Sequence, residues 1–286
     1  DSGYLPLRIH GPMNDQDITV DGSVSSQFIS GLLIAMSAHH STRRLVVHGL
    51  TSLPYIELTL NLLQQFGVRW IQRTEGVFVK EEGSLSATQI HVPCDWSSAA
   101  TMMVAAALCA NDKIELLGLD RNSLHADKAA LQLLAAAGVR SEWTSHDMSL
   151  IIYRSKPRSF QFDFGDCPDL VPVAMVLASA SNGECKFFNT SRLRFKESHR
   201  GLAMQEELGK AGITTKVLEN EIIVQPGVGQ AGCFSSHADH RIAMAMTLFA
   251  MAHQGGVVEP VDCVDKSYSQ FFDYLTLLGA KVQVEK

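Results

Sequence analysis

"PYIELTLNLLQQFGV", residues 54–68, decides the fold. Ile56, Leu60 and Leu63 fall at i, i+4 and i+7, the stripe of an amphipathic helix. Gly67 stands where that helix ends, in the left-handed C-cap position that costs glycine least. The same device recurs three more times: Gly138-Val139, Gly212-Ile213 and Gly279-Ala280 each close an amphipathic run, about 70 residues apart. Four copies of one unit are therefore expected.

Ahead of each amphipathic helix lies a second, more apolar one. These are "DGSVSSQFISGLLIAMSA" (21–38), "DWSSAATMMVAAALCA" (95–110), "DLVPVAMVLASAS" (169–181) and "DHRIAMAMTLFAMA" (239–252). They are apolar almost all round, so the pattern predicts burial on every side, the helix over 25–38 included. The first unit reads in full as strand "DITVDG", apolar helix, strand "RRLVVHG", amphipathic helix, then the strand pair "VRWIQ" and "GVFVKE". Strands alternating with helices imply an α/β protein of repeated βαβαββ units. A period near 70 is too long for the common solenoids and suggests a few large units about a shared core.

Composition agrees with a buried globular chain: 46% hydrophobic and 19% charged over 286 residues. A net charge of −6 argues against nucleic-acid or acidic-membrane partners, so any basic cluster should be local and specific. The apolar runs are too short for a membrane span of roughly 20 residues. Cys94, Cys109, Cys167, Cys185, Cys233 and Cys263 form no C-x-x-C pair and read as reduced thiols of a cytoplasmic protein. Cys94 and Cys167, at loop ends near polar clusters, are the two for which reactivity is conceivable. The first residues, "DSGYLPLRIHG", show no signal pattern and no initiating Met, as expected of a processed or truncated piece.

Each apolar helix opens on polar residues: Ser25-Ser26-Gln27, Ser97-Ser98, Asp169 and Asp239-His240-Arg241. Free N–H groups at such a terminus suit an anion, and they equally suit plain N-capping by Ser or Asp. The loops before the amphipathic helices hold the other charges: "RLRFKESHRG" (192–201), with Lys196, Glu197 and Arg200, and "DCVDKSY" (262–268), with Lys266. If the units share geometry, Arg200, Arg241 and Lys266 gather around Asp169 and Glu197. Such a set fits a substrate with two or more acid groups and proton transfer by carboxylates; the bland alternative is a solvated charged loop. In "HADH" (237–240) the histidines lack an acidic or Cys partner other than Asp239, so a metal site is not expected there. No glycine-rich phosphate loop and no G-x-G-x-x-G fingerprint supports a nucleotide.

These segments together resemble the 5-enolpyruvylshikimate-3-phosphate synthase family of enolpyruvyl transferases. The stretches are "VDGSVSSQF" (20–28), "SLPY" (52–55), "RNSLHAD" (121–127), "DCPDLVP" (166–172), "LRFKESHR" (193–200), "HADHRIAM" (237–244) and "DKSY" (265–268), in the family's order. The resemblance implies two domains of three βαβαββ units each, with the active site between them. It implies transfer of the enolpyruvyl group of phosphoenolpyruvate to the 5-hydroxyl of shikimate 3-phosphate, releasing phosphate, without metal or organic cofactor. Carried over by motif, Ser25, Ser26, Gln27, Ser52, Tyr55, Asp169 and Lys196 hold shikimate 3-phosphate. Gln27, Arg200, Arg241 and Lys266 hold phosphoenolpyruvate. Asp169 takes the hydroxyl proton, and Glu197 exchanges a proton with the methylene carbon.

The family's first third, with its Lys-Ser phosphate motif, has no counterpart here. Repeat count then gives one unit of the first, substrate-side domain (1–90), incomplete, and three units of the second (91–286). Such a chain is expected to turn over poorly by itself, and to be a monomer when complete. His199 stands in place of the usual acid of "KESDR", Leu53 in place of a frequent Lys, and Arg192 where many members have Asn. The rival readings are UDP-N-acetylglucosamine enolpyruvyl transferase and a non-catalytic module that only binds anions.

Overall fold

Four glycines at one structural position define the repeat. In the computed structural model, which describes residues 6, 8, 10, 11, 16–39, 44–144 and 148–285, Gly67, Gly138, Gly212 and Gly279 are all left-handed, with φ of 90, 72, 83 and 92°. The amide that follows each of them closes back on the helix: Val68 to Leu63, Val139 to Leu134, Ile213 to Leu208 and Ala280 to Leu275, all at 2.8 to 2.9 Å. A side chain at these φ values would be strained, which is why the sequence marks each stop with glycine.

The chain divides into two compact units, Asp1–Ile90 and His91–Lys286. In the first, β1 (Ile18–Asp21), α1 (Ser26–Ser37), β2 (Arg44–His48), α2 (Leu53–Gln65), β3 (Arg69–Thr74) and β4 (Val77–Glu82) follow the expected order. Arg43, the expected first residue of the second strand, lies outside the described residues. The sheet runs β1-β2-β4-β3, with β1 and β2 parallel and the other pairs antiparallel. Its core joins Ile29, Leu33 and Met36 of α1 to Leu45, Val47, Ile56, Leu63, Trp70 and Phe78.

The second unit begins with α3 (Trp96–Cys109), β5 (Lys113–Leu117), α4 (Ala130–Ala136), β6 (Ser141–Trp143) and β7 (Ser149–Tyr153). Next come β8 (Gln161–Asp163), α5 (Val171–Ser179), β9 (Cys185–Phe188), α6 (Arg200–Lys210), β10 (Thr215–Val217) and β11 (Glu221–Val224). The remainder is β12 (Cys233–Ser235), α7 (His240–Ala252), β13 (Val257–Glu259), α8 (Asp265–Tyr268) and α9 (Phe271–Leu277). The sheet β8-β9-β11-β10 repeats the first sheet strand for strand, parallel pair included. The other two repeats are shorter than expected. Among the described residues no ladder forms over 83–95, leaving β5-β7-β6, and none over 280–285, leaving the parallel pair β12-β13.

The apolar helices confirm the burial pattern three times and break it once. α3, α5 and α7 pack against one another and are buried along nearly their whole lengths. By contrast, α1 buries only the face carrying Ile29, Leu33 and Met36, while Phe28 and Ile34 are 53% and 52% exposed. The reason is the number of neighbours. A triad of apolar helices covers all sides of each member, whereas α1 meets α2 and a single sheet. No helix among the described residues is long and apolar enough to cross a membrane.

Candidate active site

Parallel strands place the polar residues. The loops after β1 and β2 carry Ser25 to Gln27 and Ser52; those after β8 and β9 carry Asp169 and residues 189–199. The loop after β12 carries Asp239, and the one after β13 leads into α8 with Lys266. All lie at the carboxyl ends of parallel pairs, the edge where α/β sheets leave helix N-termini and loops free for ligands.

In the second unit the expected residues meet around one guanidinium. Arg200 opens α6 and is 1% exposed, yet it faces three carboxylates. Its Nη1 donates to Asp169 Oδ1 at 2.6 Å, Nη2 to Glu197 Oε2 at 2.6 Å, and Nε to Asp239 Oδ2 at 2.8 Å. Further cations flank the same acids. Lys196 Nζ lies 3.1 Å from Asp169 Oδ1, Arg241 Nη2 3.1 Å from Asp169 Oδ2, and Lys266 Nζ 2.8 Å from Glu197 Oε1. Charge-assisted bonds of this kind are short and directional. Asp169, Lys196, Glu197, Arg200, Arg241 and Lys266, read from the sequence as one cluster, are one ion network.

The helix caps separate the two readings of the polar termini. Ser25 Oγ accepts from the Gln27 amide at 3.2 Å, Asp95 from the Ser97 and Ser98 amides at 3.1 and 2.8 Å, and Asp239 from the Arg241 amide at 2.9 Å. These residues are caps. Asp169 caps nothing: it lies in a 3₁₀ turn, Pro168–Leu170, ahead of α5, and its oxygens go to cations. His199 caps α6, its Nδ1 accepting from the Leu202 amide at 3.3 Å, so a ring nitrogen serves as the cap acceptor here. Arg192 donates to the Gly165 carbonyl and holds the loop before Asp169.

The electrostatics follow from this packing. Burial pushes Asp169 up, but Arg241, Lys196 and Arg200 outweigh it and hold the carboxyl well below the usual range. Glu197 is likewise pushed up by burial and pulled down to about 2 by the Lys266 hydrogen bond and Arg200. Asp127 is the residue that sequence reasoning quoted without a role. It is fully buried, accepts from Ser97 Oγ at 2.5 Å, and is raised by burial against the pull of Arg241. His240 also went without a role. Its Nδ1 is buried with no hydrogen-bond partner, 4.0 Å from Glu197 Oε1, and burial lowers its pKa.

In the first unit, Ser25, Ser26 and Gln27 sit at the start of α1, and Ser52 and Tyr55 at the start of α2. Thr51 Oγ1 donates to the Gly22 carbonyl at 2.9 Å and ties the two loops together. Ser26 and Ser52 are buried, Gln27 is exposed, and Ser52 is left-handed with φ 52°. These five residues belong to a different compact unit from the ion network.

Two other expectations change. Cys167 is buried, and burial pushes its thiol far up, which makes it unreactive at neutral pH; all six cysteines are unpaired. His237 does have an acidic partner, Glu207, 2.7 Å from its Nε2 and 30 residues earlier in the chain.

The family model of EPSP synthase (3-phosphoshikimate 1-carboxyvinyltransferase) matches residues 1–275. The chain is 31% identical over 298 residues to the 3-phosphoshikimate 1-carboxyvinyltransferase of Natronomonas pharaonis, covering 99% of this chain and 68% of that protein. It is 35% identical over 287 residues to the same enzyme of Clostridium perfringens, covering 98% and 66%. Among solved structures, EPSP synthase from Acinetobacter baumannii superposes with a TM-score of 0.76 at 23% identity, over 95% of this chain and 64% of that one. The enolpyruvyl transferase NikO from Streptomyces tendae gives 0.73 at 19%, over 94% and 65%. The chain thus spans about two thirds of the length of these relatives and shares the enolpyruvyl transferase fold.

Proposed function

The chain belongs to the EPSP synthase (3-phosphoshikimate 1-carboxyvinyltransferase) family, and on that premise we propose that it transfers the enolpyruvyl group of phosphoenolpyruvate to the 5-hydroxyl of shikimate 3-phosphate, releasing phosphate. The observation that carries the reading is the buried Arg200 holding Asp169, Glu197 and Asp239 among Lys196, Arg241 and Lys266. Residues 1–90 are read as one repeat of a substrate-side domain, and residues 91–286 as a domain of three.

Each group has a task set by its surroundings. Asp169, ionised and held by cations, takes the proton from the attacking hydroxyl. Glu197 hands a proton to the methylene carbon, so that the cationic centre beside it accepts the hydroxyl oxygen, and takes a proton back as phosphate leaves. Glu197 must carry a proton for the first of these steps, and Lys266 opposes it in the free protein. A phosphate or carboxylate that draws Lys266 away lets the carboxyl rise, so donor binding arms the acid. Arg241 and Lys266 exchange carboxylate oxygens for those of phosphoenolpyruvate, with Gln27 adding an amide; Arg200, the fourth residue of that donor set, acts on it from the centre of the network. Ser25, Ser26, Gln27, Ser52, Tyr55 and Lys196 hold the acceptor, together with Asp169.

The test is calorimetric binding of phosphoenolpyruvate and shikimate 3-phosphate, alongside phosphate release with both present. Binding of both is expected, weakened at the donor by Arg241→Ala. A protein that ignores phosphoenolpyruvate overturns the reading, and one that takes UDP-N-acetylglucosamine as acceptor overturns the choice of substrate.

A further inference from the structure

Glu207 follows Arg200 by seven positions on α6, which brings both to one face of the helix two turns apart. Arg200 binds Asp239. Glu207, wholly buried, grips the segment just before it: Oε2 accepts from the Ser235 amide at 2.9 Å, and Oε1 lies 2.7 Å from His237 Nε2. The segment between these two anchors is strained, since His237 and Ala238 are both left-handed, with φ of 51 and 53°. Within it short-range bonds shape the turn: Ser235 Oγ and Ser236 Oγ accept the His237 and Ala238 amides, and the Ser236 carbonyl accepts that of Asp239, while the Ser236 amide donates to the Glu259 carbonyl of β13 at 3.0 Å. Such backbone persists where its surroundings over-determine it. Directly after it come Asp239, the cap of α7, and Arg241.

We propose that Glu207 is a positioning residue: with Arg200 it clamps Ser235–Asp239 in the left-handed turn and so fixes Asp239, the cap of α7, and with it Arg241 for anion binding. The clamp is charged. Burial disfavours the Glu207 carboxylate, but Lys210, the Ser235 amide and His237 outweigh it. Glu206, Glu207 and His237 also bring ligand atoms within 4.8 Å of one another, a spacing that suits a metal. Lys210 Nζ already bonds both Glu207 oxygens at 2.8 and 2.9 Å and reaches Glu206 at 3.3 Å, so an ammonium fills the place of a metal ion. What remains for Glu207 is to hold the turn.

The inference rests on Arg241 being an anion-binding cation, and the experiment separates the two. Amide hydrogen exchange is followed in the 286-residue chain and its Glu207→Gln and His237→Gln variants, and phosphoenolpyruvate affinity is measured on the same samples. The Ala238, Asp239 and Arg241 amides are expected to exchange about tenfold faster in both variants, as for a lost bond to a charged group. The amides of α5 keep their protection, Glu206→Gln changes nothing, and phosphoenolpyruvate binding weakens by a similar factor. Unchanged exchange at the three amides in both variants overturns the clamp, and so does a uniform rise across His91–Lys286, which would make Glu207 an ordinary core residue. If Glu207→Gln fails to fold, His237→Gln decides. If the unmodified chain binds no phosphoenolpyruvate, the anion reading falls while the exchange data still judge the clamp.

Discussion

Arg200 Nε lies 2.8 Å from Asp239 Oδ2, and neither side chain reaches solvent: they are 1% and 0% exposed. Two charges withdrawn from water attract strongly, but the attraction largely repays desolvation, so the pair is costly to break without being a large net gain. Arg200→Met should therefore destabilise the protein by about 3–5 kcal/mol, because Asp239 is left buried and uncompensated. Asp239→Asn in the same background should recover part of that. Urea unfolding measures both, and a loss under about 1 kcal/mol would mean that water reaches Asp239 and that the burial is not as described.

Acid should unfold the second unit through its site. Asp169 and Glu197 both titrate below their ordinary values, Glu197 at about 2. A carboxylate depressed by folding stabilises fully above its unfolded pKa, near 4, and loses that contribution as pH falls through the folded value. Stability should thus decline from about pH 4.5 towards pH 2 and below. Glu197→Gln should flatten part of the decline in urea midpoints over this range. A variant whose stability falls as steeply as the wild type's rules out the network as the cause.

Asp127 carries the opposite sign. Its folded pKa is raised, chiefly by burial, so its contribution is present while it is protonated and lost as pH rises through the folded value. Asparagine mimics the protonated form and keeps an acceptor for Ser97 Oγ. Asp127→Asn should raise the melting temperature at pH 7 and leave it little changed near pH 4. A lower melting temperature at pH 7 would show that attraction to Arg241 outweighs burial.

What the sequence disclosed about the fold was local. Gly67, Gly138, Gly212 and Gly279 mark helix ends because only glycine takes their backbone angles without cost, and that signal needs no tertiary information. The charges at 192–201 and around Asp239 were legible because a small patch of positive charge in an acidic chain has few purposes. Harder to read was anything set by a distant neighbour. Glu207 looks like an ordinary helix residue, and only the packing of α6 beside β12 brings it to His237. Asp127 looks like a surface acid at a helix start until burial is known. The pattern of α1 states what its residues prefer; which helices cover it is not written in residues 25–38, and Phe28 and Ile34 remain exposed.

Glu197 and Lys266 supply the last prediction, because the proposed chemistry needs their bond to be temporary. The Lys266 ammonium, 61% exposed on the short helix α8, sits 2.8 Å from a carboxylate that must later carry a proton. Among the groups that lower Glu197, the Lys266 hydrogen bond is the largest, followed by Arg200, with burial pulling the other way. Arg200 is fixed by Asp239 and Asp169, so Lys266 is the partner free to leave. Titration of the Glu197 carboxyl carbon by NMR should give about 2 in the unliganded protein. The value should climb towards or past the ordinary glutamate value, near 4.3, when phosphoenolpyruvate saturates the site, and partly so in Lys266→Met without ligand. The variant isolates the cause, since it removes the ammonium and adds no anion. A Glu197 that stays at about 2 in Lys266→Met would assign its depression to Arg200 and the backbone hydrogen bond to its own amide, and donor binding could then not arm the acid by drawing Lys266 away.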